Sequence, residues 1–285
     1  MTYGINPAGD IASFVNTIYE DALLVARENN LLLNLVTQFN DASGTALRKN
    51  QVYGTATFNT VGDDDDLTSQ VFKPTADQTL TPYEYGAQFF ITDTRKETDP
   101  FPVQNQASQE LGQAFGEAVD VALCGDFNSM TGGTIGNSGS AMTWNYFFAM
   151  LTALKAAKAP QPYYFVCHPN QWYRLGKAAS IGGTVTNAPE LQNEFARNFY
   201  VGSVAGVACF TSSNCEASST ANYAGMFSRY ALAIDWRRGF RIEYERDASR
   251  RGIELNASAL YAHGVWRPAW GVQGIFLGSA PDGTT

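Results

Sequence analysis

The sequence is short of charge. Only 16% of its 285 residues are Asp, Glu, Lys or Arg, against roughly 25% in an average soluble domain. Histidine is nearly missing, with two in the whole chain, so a Cys/His zinc site has too few ligands to draw on. The four cysteines, Cys124, Cys167, Cys209 and Cys215, form no Cys-x-x-Cys pair and read as reduced thiols of an intracellular protein. No apolar run approaches the ~20 residues of a membrane span, and no charged leader with an apolar block follows Met1. Gly-x-Ser-x-Gly elbows, Walker A loops and Gly-x-Gly-x-x-Gly turns are all absent. His168 does follow Cys167, but adjacent strand residues face opposite ways, so the two make a poor nucleophile and base. No catalytic residue, metal ligand or cofactor is expected.

Positive charge is also scarce and uneven. The net charge is −8, which argues against a protein built to grip nucleic acid phosphates. No lysine follows Lys177, while eight of the thirteen arginines lie at or after Arg229. Near the other end stands the acidic run Asp63-Asp64-Asp65-Asp66.

The chain is organised around the stretch from Gln104 to Phe127. Ala107, Leu111, Ala114, Phe115, Ala118, Val121, Ala122 and Gly125 recur at three-four spacing, which predicts one long helix with a narrow, mostly small-residue stripe. Pro102 precedes it and Gly125 closes it. So lightly loaded a helix needs a broad surface to lie on. Upstream, Asp10 caps a predicted amphipathic helix through Val25. From Gln51 to Thr60 the period becomes two, and Thr81 to Asp93 reads as a returning strand, giving a long hairpin flap with the aspartates at its tip. Downstream, helices are predicted at Trp144–Lys158, with Phe147, Phe148, Leu151 and Leu154 on one side, at Asn170–Ala179 and at Glu190–Asn198. Tyr163–Cys167 is a continuous apolar strand suited to a sheet interior, and Val201–Thr211 reads as another strand. The last third is strand-dominated, at Gly225–Trp236, Phe240–Arg246, Gly252–Val265 and Gly271–Leu277. These four segments are the expected floor for the long helix. The fold class is α+β.

The order of these pieces resembles the major capsid proteins of tailed bacteriophages, with the HK97 fold. The residues that carry the likeness are the flap arms QVYGTATFNTVGDDDDL and LTPYEYGAQFFITDTRKETDP, the helix QASQELGQAFGEAVDVAL, and the close RIEYERDASRRGIELNASALYAHGVWRPAWGV. The resemblance implies an amino-terminal arm (1–47), an extended loop (48–93), a peripheral domain with a spine helix (94–142), an axial domain (143–222) and return strands that are mainly peripheral (223–285). It implies a virion shell of hexamers and pentamers around double-stranded DNA held without sequence-specific binding, assembled in the host cytoplasm. A separate scaffolding protein, a portal and cement or decoration proteins are the implied partners, with no membrane. An encapsulin-like compartment shares the fold, and a cytosolic α/β enzyme is the alternative of another class. A Lys–Asn crosslink, found in some relatives of the fold, is not expected, because nothing marks an acceptor or an assisting acid for Lys73.

The candidate contact residues are Asp63, Asp64, Asp65 and Asp66 against the arginine group Arg237, Arg238, Arg246, Arg250 and Arg251 of a neighbouring copy. The acidic run also fits a solvated turn, or a hard-cation cluster without the spaced EF-hand pattern. The arginines equally fit local ion pairs with Glu243, Glu245, Asp247 and Glu254.

Overall fold

The computed structural model describes residues 31–41, 47–53, 56–63, 66–67, 69–98, 103–181, 200–215 and 221–279. The helices predicted at 10–25 and 190–198, and Asp64 and Asp65, lie outside them.

Strands β1 (Thr37–Phe39), β2 (Arg48–Tyr53), β3 (Pro74–Leu80) and β4 (Tyr83–Thr92) come first, then helix α1 (Asp93–Thr98) and the long helix α2 (Val103–Gly125). A 3₁₀ turn, Asp126–Ser129, extends α2. Next come β5 (Thr134–Gly136), α3 (Trp144–Ala156), β6 (Tyr163–Cys167), α4 (Pro169–Ile181), β7 (Tyr200–Val204), β8 (Val207–Thr211) and β9 (Ala221–Ser228). The chain closes through β10 (Leu232–Asp247), β11 (Gly252–Val265) and β12 (Gly271–Leu277).

Two larger sheets result. The first has the order β1-β10-β11-β4. Its centre is the β10–β11 hairpin, where Phe240 and Ile242 alternate with Arg241 and Glu243, so one face is apolar. Strand β11 repeats the pattern with Ile253, Leu255, Ala257, Ala259 and Tyr261 buried. Helix α2 lies on that face. Phe115 stacks on Phe240 at 4.6 Å and meets Tyr261 edge-on at 6.2 Å. The second sheet has the order β5-β12-β9-β6-β8-β7. Strand β6 lies inside it, as its unbroken apolar run predicts, parallel to β8 and antiparallel to β9. The stretch read as one strand over 201–211 is a hairpin, β7 and β8, joined by Ala205 and Gly206 at φ +53° and +81°. Positive φ at both central residues is the geometry that matches strand twist in a two-residue turn.

The second sheet is covered on both faces. Phe165 and Met226 sit with Phe147, Met150, Leu151 and Leu154 of α3. Their strand neighbours Val166 and Phe227 point the other way, into the cluster that holds Leu123 and Phe127 from the end of α2. Gly225 makes the close approach possible, since a Cβ there would stand 2.9 Å from the Phe127 ring. The long helix therefore serves both sheets, the four-stranded one along its length and the six-stranded one at its end.

Four further sequence expectations need correction. The floor under α2 is built from β10 and β11, whereas β12 and β9 pair with each other in the second sheet. A strand's alternation tells which side is apolar but not which strand it joins. The flap hairpin pairs β2 with β3, a polar segment not read as strand, while β4 pairs with β11, from Thr92 opposite Gly252 to Tyr83 opposite Tyr261. The buried stripe of α2 is rotated from the small-residue line: Leu111, Gly112, Gly116, Val119, Leu123 and Cys124 are buried, whereas Ala114, Ala118 and Val121 are exposed. Burying a Val or Leu side chain gains about 1.5–3 kcal/mol, far more than an alanine offers, so the larger residues set the angle. On α3, Met150 is buried in place of Phe148.

Candidate assembly surfaces

The flap begins on a fixed base. Leu80 is buried with Ala233 and Ala262 beside Phe39 and Trp266. The Asn50 side-chain amide donates to the Trp266 carbonyl at 2.6 Å. Arg48 donates from Nε to Asp235 Oδ2 at 2.8 Å, pairs with Asp41, and stands over the Phe39 ring at 4.3 Å. Asp235 is fully buried and also accepts from Arg237 at 2.7 Å. Arg48 holds the Asp41 carboxyl below the usual range, chiefly through their hydrogen bond.

Beyond Tyr53 the flap has little interior. Tyr53 stacks on Phe72 at 4.8 Å, and the Gln70 side chain bonds both the N–H and the carbonyl of Thr57, tying the two arms together. Phe58 is fully exposed, and Leu67, Val71 and Phe72 are 83%, 72% and 75% exposed. Sequence reading took Phe58 as half of an alternating strand, yet residues 56–60 form none. The missed signal was that no apolar partner segment follows within the flap.

The predicted contact residues are spread over the molecule. Asp63 and Asp66 are exposed near the flap tip. Arg237, by contrast, has a side chain only 1% exposed against Asp235, which removes it from the outer surface. Arg238 pairs with Glu84 across the sheet, Arg246 with Asp93, and Arg250 with Glu254 while covering the Phe90 ring at 4.1 Å. Local pairing, the second reading of the arginine group, is thus present: Glu84 and Asp93 are partners that sequence distance concealed, and Asp235, two residues before Arg237, is one that the reading passed over. Arg246 lowers the Asp93 carboxyl below its ordinary value, first through the hydrogen bond. Arg246, Arg250 and Arg251 remain exposed around the β10–β11 turn. Asp247 shapes that turn by accepting from Ser249 and from the Arg250 N–H, and its carboxyl is lowered as a result.

Two buried carboxylates, Asp120 and Asp235, went unread. Asp120 accepts the Leu31 and Leu32 N–H groups at 3.1 and 3.0 Å, fixing the chain entering β1 to the side of α2. Burial nonetheless outweighs these bonds and pushes its carboxyl up. An acid one residue after Val119, on the face that carries Leu123, was the available sign. His168 accepts from the Asn170 N–H at 3.2 Å, opening α4, and burial lowers its ring. Among the described residues no three His, Cys, Asp or Glu side chains gather as a metal site would.

A groove of about 190 Å³ runs between α2 and the first sheet, lined by Tyr85, Gly86, Ala114, Phe115, Ala118 and Ala257 among others. The chain therefore has a packed two-sheet body, an apolar groove on it, and a flap that projects exposed apolar side chains.

The sequence from 75 to 273 matches the family described as phage capsid protein. The capsid protein of cyanophage P-SCSP1u superposes with a TM-score of 0.65 at 17% identity, covering 88% of this chain and 89% of that one. The protein of Mycobacterium phage Che8 gives 0.63 at 15% identity, covering 87% and 90%. A virus-like particle from Pyrococcus furiosus gives 0.60 at 10% identity, covering 91% and 98%. A comparison with curated proteins finds no match. Identities this low speak for the fold, while the sequence match spans well over half of the chain. This protein belongs to the phage capsid protein family and has the HK97-like fold of a major capsid protein.

Proposed function

We propose that copies of this chain assemble as hexamers and pentamers into an icosahedral head around double-stranded DNA, with each flap seated on a neighbouring copy. The observation that carries the reading is the exposure of Phe58, Leu67, Val71 and Phe72 on a flap that has no core of its own. An isolated two-stranded hairpin is marginal in water, and exposed apolar side chains in one place mark an interaction surface. On this reading residues 1–47 are the arm and 48–93 the extended loop, except that β1 and β4 join β10 and β11 in the first sheet and, with α2, belong to the peripheral domain. The axial domain, 143–222, then also draws in β5, β9 and β12. A scaffolding protein, a portal and decoration proteins are its further partners, and assembly takes place in the host cytoplasm.

The same reading gives the acidic tip a role. Asp63 to Asp66 face the exposed arginines at the β10–β11 turn of a neighbour, Arg246, Arg250 and Arg251, with Arg238 further along the strand. Such pairs orient and steer more than they add affinity.

Negative-stain microscopy of the expressed protein tests the whole. Closed shells are expected, and a monodisperse monomer would overturn the reading. The double variant Phe58→Ser and Phe72→Ser is expected to leave folded subunits that do not close. Replacing all four aspartates with Asn should slow assembly and flatten its salt dependence; no change in either removes the charge contact. Finding DNA rather than protein cargo in native particles separates a phage head from an encapsulin-like compartment.

A further inference from the structure

The end of α2 brings two thiols together. Cys124 is the penultimate residue of the helix, and Cys215 follows β8 by a short turn. Their sulfurs are 3.3 Å apart, and both residues are buried, at 3% and 2% exposure. They are 91 positions apart in the chain, so only the fold juxtaposes them. The turn that carries Cys215 is held by several bonds: the Ser212 N–H donates to the Cys167 carbonyl at 3.0 Å, the Asn214 N–H to Ser212 Oγ at 3.2 Å, and the Cys215 N–H to the Ser212 carbonyl at 3.4 Å. Cys215 is thereby fixed relative to the six-stranded sheet, and Cys124 relative to the long helix. Cys167 and Cys209 are buried as well, on neighbouring strands, but neither is paired with another sulfur at hydrogen-bonding distance among the described residues.

We propose that Cys124 and Cys215 are a latent disulfide site, open in a reducing cytoplasm and closed once the particle meets an oxidising one. Closing needs the sulfurs to approach from 3.3 Å to about 2.05 Å. The electron acceptor is a low-molecular-weight disulfide such as oxidised glutathione. One Cys thiolate attacks it and expels the first small thiolate, leaving a mixed disulfide. The second Cys, having lost its proton, attacks the mixed disulfide and expels the second. Two protein thiols and one small disulfide thus become one protein disulfide and two small thiols. The hydrogen bond to Cys215, together with burial, pushes the Cys124 thiol far above its ordinary range, so in the folded dithiol form the thiolate is rare and exchange is slow. Both residues are almost fully buried, so the small disulfide reaches them through local opening of the 212–215 turn. The bond would join α2 to the second sheet at the place where the helix serves both sheets, and would stiffen the subunit without touching the flap.

The test uses the wild-type protein, as unassembled subunits and as particles alike, so that its outcome does not depend on assembly. The protein is incubated with oxidised glutathione, then denatured in N-ethylmaleimide and analysed by intact mass and peptide mapping. Two of the four thiols should escape alkylation, a peptide linking Cys124 to Cys215 should appear, and dithiothreitol should abolish it. The variant Cys209→Ser should still form the link, and Cys215→Ser should not. Four alkylated thiols after prolonged exposure, a stable glutathione adduct, or a link between Cys167 and Cys209 would each overturn the assignment.

Discussion

Replacing Asp120 with alanine tests whether a buried charge on α2 holds the entering chain in place. The carboxylate accepts two backbone N–H groups, Leu31 at 3.1 Å and Leu32 at 3.0 Å. Leu32 is fully buried and Leu31 only partly, so alanine strands one donor completely and the other in part. A buried donor without a partner costs about 1–3 kcal/mol, which puts the gross loss at about 2–4 kcal/mol. Against it stands relief from burying the charge, since burial raises the carboxyl in spite of those bonds. The net expectation is a loss of about 1–3 kcal/mol at pH 7.5, with Asp120→Asn intermediate because one carbonyl oxygen still accepts. The pH dependence gives the sharper signature. A group whose folded pKa lies above its unfolded value binds a proton more readily in the folded state, so its contribution to stability grows as pH falls through the folded pKa. That contribution is fully present only below the unfolded value of 3.8. The alanine penalty should therefore grow as the pH is lowered from 7.5 toward 3.8. Urea unfolding of unassembled subunits, followed by tryptophan fluorescence, reads both. A neutral or stabilising Asp120→Ala, or a penalty that shrinks on acidification, would refute the reasoning.

Three further outcomes follow from the packing and the surface charges. Leu123→Ala should cost about 2–5 kcal/mol, the range for emptying a well-packed leucine site, whereas Val121→Ala, at a residue 47% exposed, should stay within about 0.5 kcal/mol; the opposite order in urea unfolding would restore the small-residue stripe. Gly225→Ala places a methyl 2.9 Å from the Phe127 ring and should destabilise by about 1–3 kcal/mol, with Phe127→Leu in the same chain recovering part of the loss. Arg246→Ala should let the Asp93 carboxyl return upward toward 3.8 in an NMR titration; because that carboxyl is lowered in the folded protein, the stability it lends is present above 3.8 and is lost as pH falls through the folded value.

Sequence patterns carried the elements further than their partnerships. FRIEYER and the alternating half of β11 announced a sheet with one apolar face, and Pro102 and Gly125 bracketed the long helix, because periodicity and chain breakers are local properties. The partners of those elements are not local. Arg246 meets Asp93 across 153 positions, Arg238 meets Glu84 across 154, and Arg48 meets Asp235 across 187; charge alone gave each arginine several equally good acceptors nearby. Strand β3, Pro-Thr-Ala-Asp-Gln-Thr-Leu, is polar because the flap has little to bury it against, so its pattern carries almost no strand signal. The rotation of the α2 stripe was concealed for a related reason. Alanine and glycine are compatible with a buried or an exposed helix face, and only Val119, Leu123 and Phe127 distinguish the two.

The division of burial within the molecule bears on how the flap must work. Strands β6 and β9 are apolar on both faces, which is tolerable only because α3 covers one face and the end of α2 the other. The four-stranded sheet is likewise occupied by α2. Both helices are then committed to the body, and neither reaches the flap, whose order depends on its base at Leu80, Asn50 and Arg48. Those contacts fix the direction in which the flap leaves the body, but they contribute nothing at Phe58 or Leu67. A projecting arm that is rigid at its root and unburied at its tip gains most of its stabilising free energy only when an outside surface covers the tip. If that surface is a neighbouring copy, the gain appears on association and is absent from the isolated subunit, so flap substitutions should depress particle stability far more than subunit stability. Comparable losses in both would mean that the flap already packs against its own body.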